Sequence, residues 1–166
     1  LRSSGARDAQ TGDLGAEGRG AAAWADRART PDLDATGANR IVPMAMMPAM
    51  HIDSHDADPR GMTVIGADGA VAGVVVELWV DRAEHVIRYF EVETNAGVRV
   101  LAPMPMARVK GRRRQVVIDA LNADRFALVP QISVPGQISR YEEERICAYF
   151  GGGYLYANAG RQEPLI

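Results

Sequence analysis

Five consecutive residues, Asp81, Arg82, Ala83, Glu84 and His85, place two carboxylates, a guanidinium and an imidazole in one short turn. The turn lies inside LWVDRAEHVIRYFEVE, residues 78–93, between two apolar, strand-like runs. Carboxylates held close together repel when both are ionised, and burial then raises at least one of their pKa values. Arg88, just beyond the turn, pulls the other way. A mixture of this kind can pass protons near neutral pH. The competing reading is a plain hairpin corner with a few surface charges, and composition alone favours it.

Three other stretches carry ionisable groups. HIDSHDAD brings His51, Asp53, His55, Asp56 and Asp58 together. Imidazole and carboxylate at that density can hold a divalent cation, or can form a solvated loop before Pro59. Nothing in the spacing fixes a coordination geometry, so no metal is assigned and His51 and His55 stay weak candidates. KGRRRQ carries Lys110, Arg112, Arg113 and Arg114. It reads first as a solvated turn whose charge protects a sheet edge, then as a contact for an anionic membrane surface, and after those as a contact for nucleic acid. Cys147 sits beside Ile146 in a helical pattern and reads as a small packed residue, not a nucleophile. The sequence contains no G-x-S-x-G, phosphate-binding glycine loop, dinucleotide fingerprint or paired-cysteine zinc pattern.

The elements that must position these groups read as mainly β from Met62 onward. TVIG leads into an Asp-Gly turn, and VAGVVVELWV is a β-branched buried strand. In the next strand Arg88, Phe90 and Val92 share one face, and Tyr89, Glu91 and Glu93 the other. VRVLAPM, ARVK and QVVIDAL follow, with turns between them. Short strands at this spacing suggest a small barrel or sandwich. EEERICAYFGGGYLYA reads as a C-terminal helix with carboxylates in its first turn. Tyr141, Ile146, Ala148 and Tyr149 are its expected apolar side. Gly151, Gly152 and Gly153 either end it or let another backbone approach closely.

Four segments follow from this pass. Residues 1–40, rich in Gly, Ala, Arg and Asp, read as an extended or partly disordered arm that packs on partners, with Trp24 either anchoring it to a partner or capping the chain's own core. Residues 41–60 form a Met- and Pro-rich connector. Residues 61–157 form the barrel with its helix, and 158–166 a tail.

The bulk numbers bound the class. At 166 residues, 47% hydrophobic and 24% charged, the chain suits one domain with an appendage. A net charge of −2 lacks the basic footprint of a nucleic-acid binder. A single cysteine forms no intrachain disulfide and fits a reducing compartment. The longest apolar run, GAVAGVVVELWV, is well short of the roughly 20 residues a membrane-spanning helix needs. LRSSGARDAQ has no apolar core of a signal peptide.

Several separate segments resemble, in order and spacing, the H subunit of the photosynthetic reaction centre of purple-type bacteria. They are GAAAWADRA, PDLDATGANRIVPM, DPRGMTVIGADGAVAGVVVELWVDRAEHVIRYFEVE, VLAPMPMARV and PGQISRYEEERICAYFGGGYLYA. The resemblance covers about residues 19–157. It implies a small PRC-type β-barrel with an extended N-terminal segment and a C-terminal helix. It also implies a place on the cytoplasmic face of the bacterial inner membrane, capping the L and M subunits. Those partners hold bacteriochlorophyll, bacteriopheophytin and quinone, and the H subunit itself ligates none of them. Its implied work is non-catalytic: support of the pigment-protein core and delivery of protons to the secondary quinone.

Carried over by position, the family's proton-transfer glutamate falls on Glu84, its neighbouring aspartate on Asp81 and its arginine on Arg88. The aspartate of the proton entrance falls on Asp34. Two histidines that accompany that entrance in the family are Thr36 and Ala38 here, so His51, Asp53 and His55 are an alternative entrance. The family's single membrane helix is also missing, and with Leu1 as the first residue the expectation is a separate membrane-anchoring chain. A light-harvesting antenna is a further expected neighbour. The rival class is a PRC-barrel interaction module of the ribosome-maturation type, with KGRRRQ as its contact. A metal enzyme built on HIDSHDAD is a third.

Overall fold

The computed structural model describes residues 28–161. Trp24 and the start of the arm lie outside the described residues, as does the end of the tail.

One seven-stranded sheet organises the chain. Its strands are β1 (Ile41–Pro43), β2 (Thr63–Ile65), β3 (Val71–Asp81), β4 (Val86–Thr94), β5 (Arg99–Pro103), β6 (Arg108–Lys110) and β7 (Gln115–Val117). The order is β5-β4-β3-β2-β7-β6, with β1 added on β3. All neighbours are antiparallel except β2 and β7. β3 is long enough to serve two partners on one edge. Its first half pairs with β2 and its last residues with β1, in the register Ile41↔Asp81. The segment expected as a connector therefore opens with a strand. After it, Met44 is buried and Met46 is exposed.

Simple alternation fails in β3 because the β3–β4 register shifts between Val75 and Glu77 and again between Trp79 and Val80. Bulges bend a strand and re-aim its side chains. Leu78, Trp79, Val80 and Asp81 are consequently all buried. β4 departs from the expected two faces for another reason. Phe90 and Val92 on one face are buried, and Tyr89 on the other is buried too, because a helix covers it. Glu91, on that face, is half-buried and accepts the Trp79 indole N–H at 3.0 Å.

That helix is α1 (Arg140–Ala157). Ser139 caps it: its hydroxyl accepts the Glu142 amide, and the Glu142 carboxylate accepts the Ser139 amide. This capping box satisfies two otherwise orphan donors. Ile146 and Phe150 form the fully buried side, with Phe150 edge-on to Phe126 at 6.0 Å. Tyr141, expected on the apolar side, is 47% exposed.

The helix runs through all three glycines. A Cβ on Gly153 would strike the Leu121 side chain and sit 2.8 Å from the Ala120 carbonyl oxygen, whereas one on Gly152 would meet nothing within 4 Å. Close approach is thus the reason for Gly153. Gly153→Ala should destabilise the chain by about 1–3 kcal/mol through overpacking. Gly152→Ala should stabilise it by up to about 1 kcal/mol through helix propensity. Urea midpoints of the two variants should move in opposite directions, and a shared direction would refute the assignment.

Candidate functional site

The β3–β4 corner is built around Asp81. Its Oδ1 accepts the amides of Ala83 at 2.9 Å and Glu84 at 3.0 Å, the local side-chain-to-backbone bonding that favours aspartate in turns. His85 closes the corner in the left-handed region, φ 55°, with its amide on the Asp81 carbonyl at 2.8 Å. The other carboxylate oxygen, Oδ2, accepts Arg40 Nε at 2.8 Å and lies 3.6 Å from Arg88 Nη1. The Asp81 side chain has no solvent exposure. Burial by itself would raise its pKa, but the Glu84 and Ala83 amides and the Arg40 guanidinium outweigh it and hold the carboxyl below the usual range. Asp81 is therefore an ionised anchor at neutral pH.

Arg40 is delivered by the sheet. It precedes β1, whose pairing sets Ile41 against Asp81, and its carbonyl accepts the Arg82 amide at 2.8 Å. From there Arg40 Nη2 also reaches Glu84 Oε1 at 2.8 Å. One guanidinium thus holds both acids of the turn. The two differ sharply in environment, since the Glu84 side chain is 60% exposed in this chain.

Asp34 joins from the side. It caps a loop closed by the Leu33–Asn39 bridge, and its Oδ1 accepts the Thr36 hydroxyl at 2.6 Å, the Thr36 amide at 2.8 Å and the Ala38 amide at 3.1 Å. The Thr36 hydroxyl is the main reason its pKa is lowered. Thr36 and Ala38 both donate to Asp34 here, Ala38 through its amide alone. Oδ2 of Asp34 lies 3.9 Å from Arg82 Nε, which ties it to the same turn.

The expected alternative entrance divides. His55 and Asp53 form an exposed pair, Nδ1 to Oδ1 at 3.0 Å, and the His55 amide chiefly lowers the Asp53 pKa. His51 lines an open groove of ≈ 690 Å³ together with Asp53, His85, Val86, Met104 and Val109, while His55 lies outside it. Among the described residues, no three of His, Cys, Asp and Glu are arranged to hold one metal ion.

KGRRRQ forms a turn between β6 and β7, with Lys110, Arg112, Arg113 and Arg114 exposed and Arg114 in the left-handed region. β6 is the last strand in the sheet order, so these charges do flank an edge. Cys147, read from sequence as packed, is exposed as a residue on α1. It lies on the flank of the helix, next to the buried Ile146 but off the core-facing stripe. Desolvation, reinforced by the Glu143 charge and only partly offset by the Tyr89 hydroxyl and Arg88, raises its thiol pKa, the opposite of what a nucleophile needs.

Four partners of this site escaped sequence reasoning. Besides Arg40 they are Asp32, Arg140 and Glu143. Asp32 accepts Arg140 Nη2 at 2.6 Å and lies 4.0 Å from Arg40 Nη1, and the Arg140 amide donates to the Thr30 carbonyl at 3.1 Å. The segment before β1 is thereby strapped to both the hairpin and the start of α1. Glu143 accepts the Tyr89 hydroxyl at 2.8 Å. Only Arg40 had a usable signal, a cation directly before a strand-like run.

Residues 51–125 match the PRC-barrel domain family. The chain carries a PRC-barrel domain. Such a domain is an interaction module, not a catalytic fold. The PRC-barrel match includes Asp81, Glu84, Arg88 and Tyr89, while Asp34, Arg40 and Glu143 come from segments flanking it. The site is therefore assembled where those flanking segments close over the barrel. Among the described residues no helix is long and apolar enough to cross a membrane.

Proposed function

We propose that the chain is the cytoplasmic-side H subunit of a bacterial photosynthetic reaction centre, a non-catalytic subunit that braces L and M and conducts protons to the secondary quinone. The observation that carries this reading is the Arg40 bridge: a buried, ionised Asp81 fixes the guanidinium, which presents an exposed Glu84 at the end of the hairpin. Val86, Met104 and Val109 are exposed beside it along the groove, an apolar surface that a partner can cover. Covering the turn would take Glu84 out of bulk water, so that a proton it carries is passed inward and not back to solvent.

In this reading Asp81 and Arg88 tune Glu84, and Asp34 with Arg82 marks the outer end of the path. His51, Asp53 and His55 are the second entrance. The pigments and quinones belong to L and M, and no residue of this chain ligates them. The exposed KGRRRQ turn meets the anionic membrane surface, and an antenna lies nearby. Glu84→Gln should slow quinone-linked proton uptake by about tenfold or more in the assembled complex. Folding stability should stay within about 0.5 kcal/mol of the parent, as befits an exposed pair. Flash-induced proton uptake at parental speed would remove Glu84 from the path. The same measurement on a His51→Ala, His55→Ala double variant reports on the second entrance.

The exposed KGRRRQ turn also suits the ribosome-maturation reading, in which it would contact ribosomal protein and RNA. Native purification separates the two: pigment-bearing membrane proteins accompany the chain in the first, ribosomal particles in the second.

A further inference from the structure

We propose that Glu143 is a second proton-holding carboxyl, paired with the Tyr89 hydroxyl and coupled to the hairpin turn through Arg88. The carboxyl site stands on its own geometry, and its use as a relay rests on the proton-conduction reading above. Tyr89 is 2% exposed and donates to Glu143 Oε1 at 2.8 Å, so the two form a bond across the β4–α1 interface. Glu143 is itself only partly exposed. The groups that act on it come from three elements: Arg88 and Tyr89 on β4, Arg140 and Cys147 on α1, and Asp32 on the segment before β1.

These groups oppose one another. Burial raises the Glu143 carboxyl above the ordinary range. The Tyr89 bond, Arg88 and Arg140 work against that, Asp32 reinforces it, and the net shift is upward. Burial likewise pushes the Tyr89 phenol far up, so it remains a donor across the physiological range. Arg88 thus serves two carboxyls of opposite character: Asp81, held low, and Glu143, held high. Two acids pushed apart by their surroundings divide the labour of an ionised anchor and a proton carrier. The step itself is simple. Glu143 takes a proton on Oε2 and becomes a neutral acid, while Tyr89 continues to donate to Oε1. Loss of that proton restores the carboxylate.

The test uses the purified full chain with glutamate labelled at the carboxyl carbon, titrated by carbon NMR. Glu143→Gln identifies the resonance by removing it. The expected result is a midpoint above those of the other glutamates, raised further in Tyr89→Phe because the carboxylate loses a donor. A midpoint in the common glutamate range, or one indifferent to Tyr89→Phe, overturns the site. In the assembled complex, Glu143→Gln should slow proton uptake alongside Glu84→Gln. Slowing by Glu84→Gln alone would refute the relay role of Glu143 and leave the proton-conduction reading standing. Parental rates in both variants would refute that reading, and the titration would still judge the carboxyl.

Discussion

Asp81→Ala lowers folding stability by about 3 kcal/mol at neutral pH, the lower part of the range for breaking a buried ion pair. The substitution strips acceptors from the Ala83 and Glu84 amides and from Arg40 Nε at once, and removes the counter-charge of Arg88. The loss stays near the lower end because Arg40 is 29% exposed and rehydrates in part. Its pH dependence has a definite sign. The folded-state pKa of Asp81 is lowered, so in the window between the two values the unfolded chain binds more protons and stability rises with pH. The contribution is complete above the unfolded value, about 3.9, and is lost as pH falls through the folded value. Asp34, Asp53, Asp58 and Glu142 are lowered too, so the difference between parent and variant is the informative quantity. Urea unfolding from pH 7 downward should show that difference shrinking below about pH 4. A constant difference across the acid range would mean that Asp81 acts through shape and not through charge.

The parts of the fold that were legible share one property: their signals are local. β3, the polar corner at residues 82–85, β4, the turn at KGRRRQ and the helix at 140–157 follow from β-branched runs, turn residues and a helical pattern. Asp81 could be singled out for the same reason, since an aspartate at the mouth of a hairpin bonds the amides just after it. What stayed hidden depends on chain partners far away in sequence. Arg40 reaches Asp81 across 41 positions, and Tyr89 reaches Glu143 across 54. The carboxylates of the EEE run look alike in sequence. Yet Glu142 closes the capping box, Glu143 meets Tyr89, and Glu144 is exposed, because a helix turns each to a different direction. The burial of Tyr89 was likewise invisible from alternation, which counts faces and knows nothing of what covers them.

This dependence on α1 gives the second large effect. Phe150→Ala should cost about 3–5 kcal/mol, since Phe150 is fully buried and loses its packing against Phe126 and Tyr149. Phe150→Leu, which keeps most of the volume, should cost under about 2 kcal/mol. The damage should also be uneven. The start of α1 keeps independent fasteners in the Ser139 box, the Arg140–Asp32 pair and the Arg140 amide on Thr30. Its second half is held by Phe150, the fit of Gly153 against Ala120 and Leu121, the Tyr149 hydroxyl on the Arg125 carbonyl, and Arg161 against Tyr154. Hydrogen exchange should therefore accelerate first at the amides after Phe150, while the β3–β4 pairing stays protected up to the global limit. Uniform acceleration along the helix would show that it docks as one unit. In that case the Tyr89–Glu143 bond would have the same stability as the aromatic contact two turns away, and loosening one would open the other.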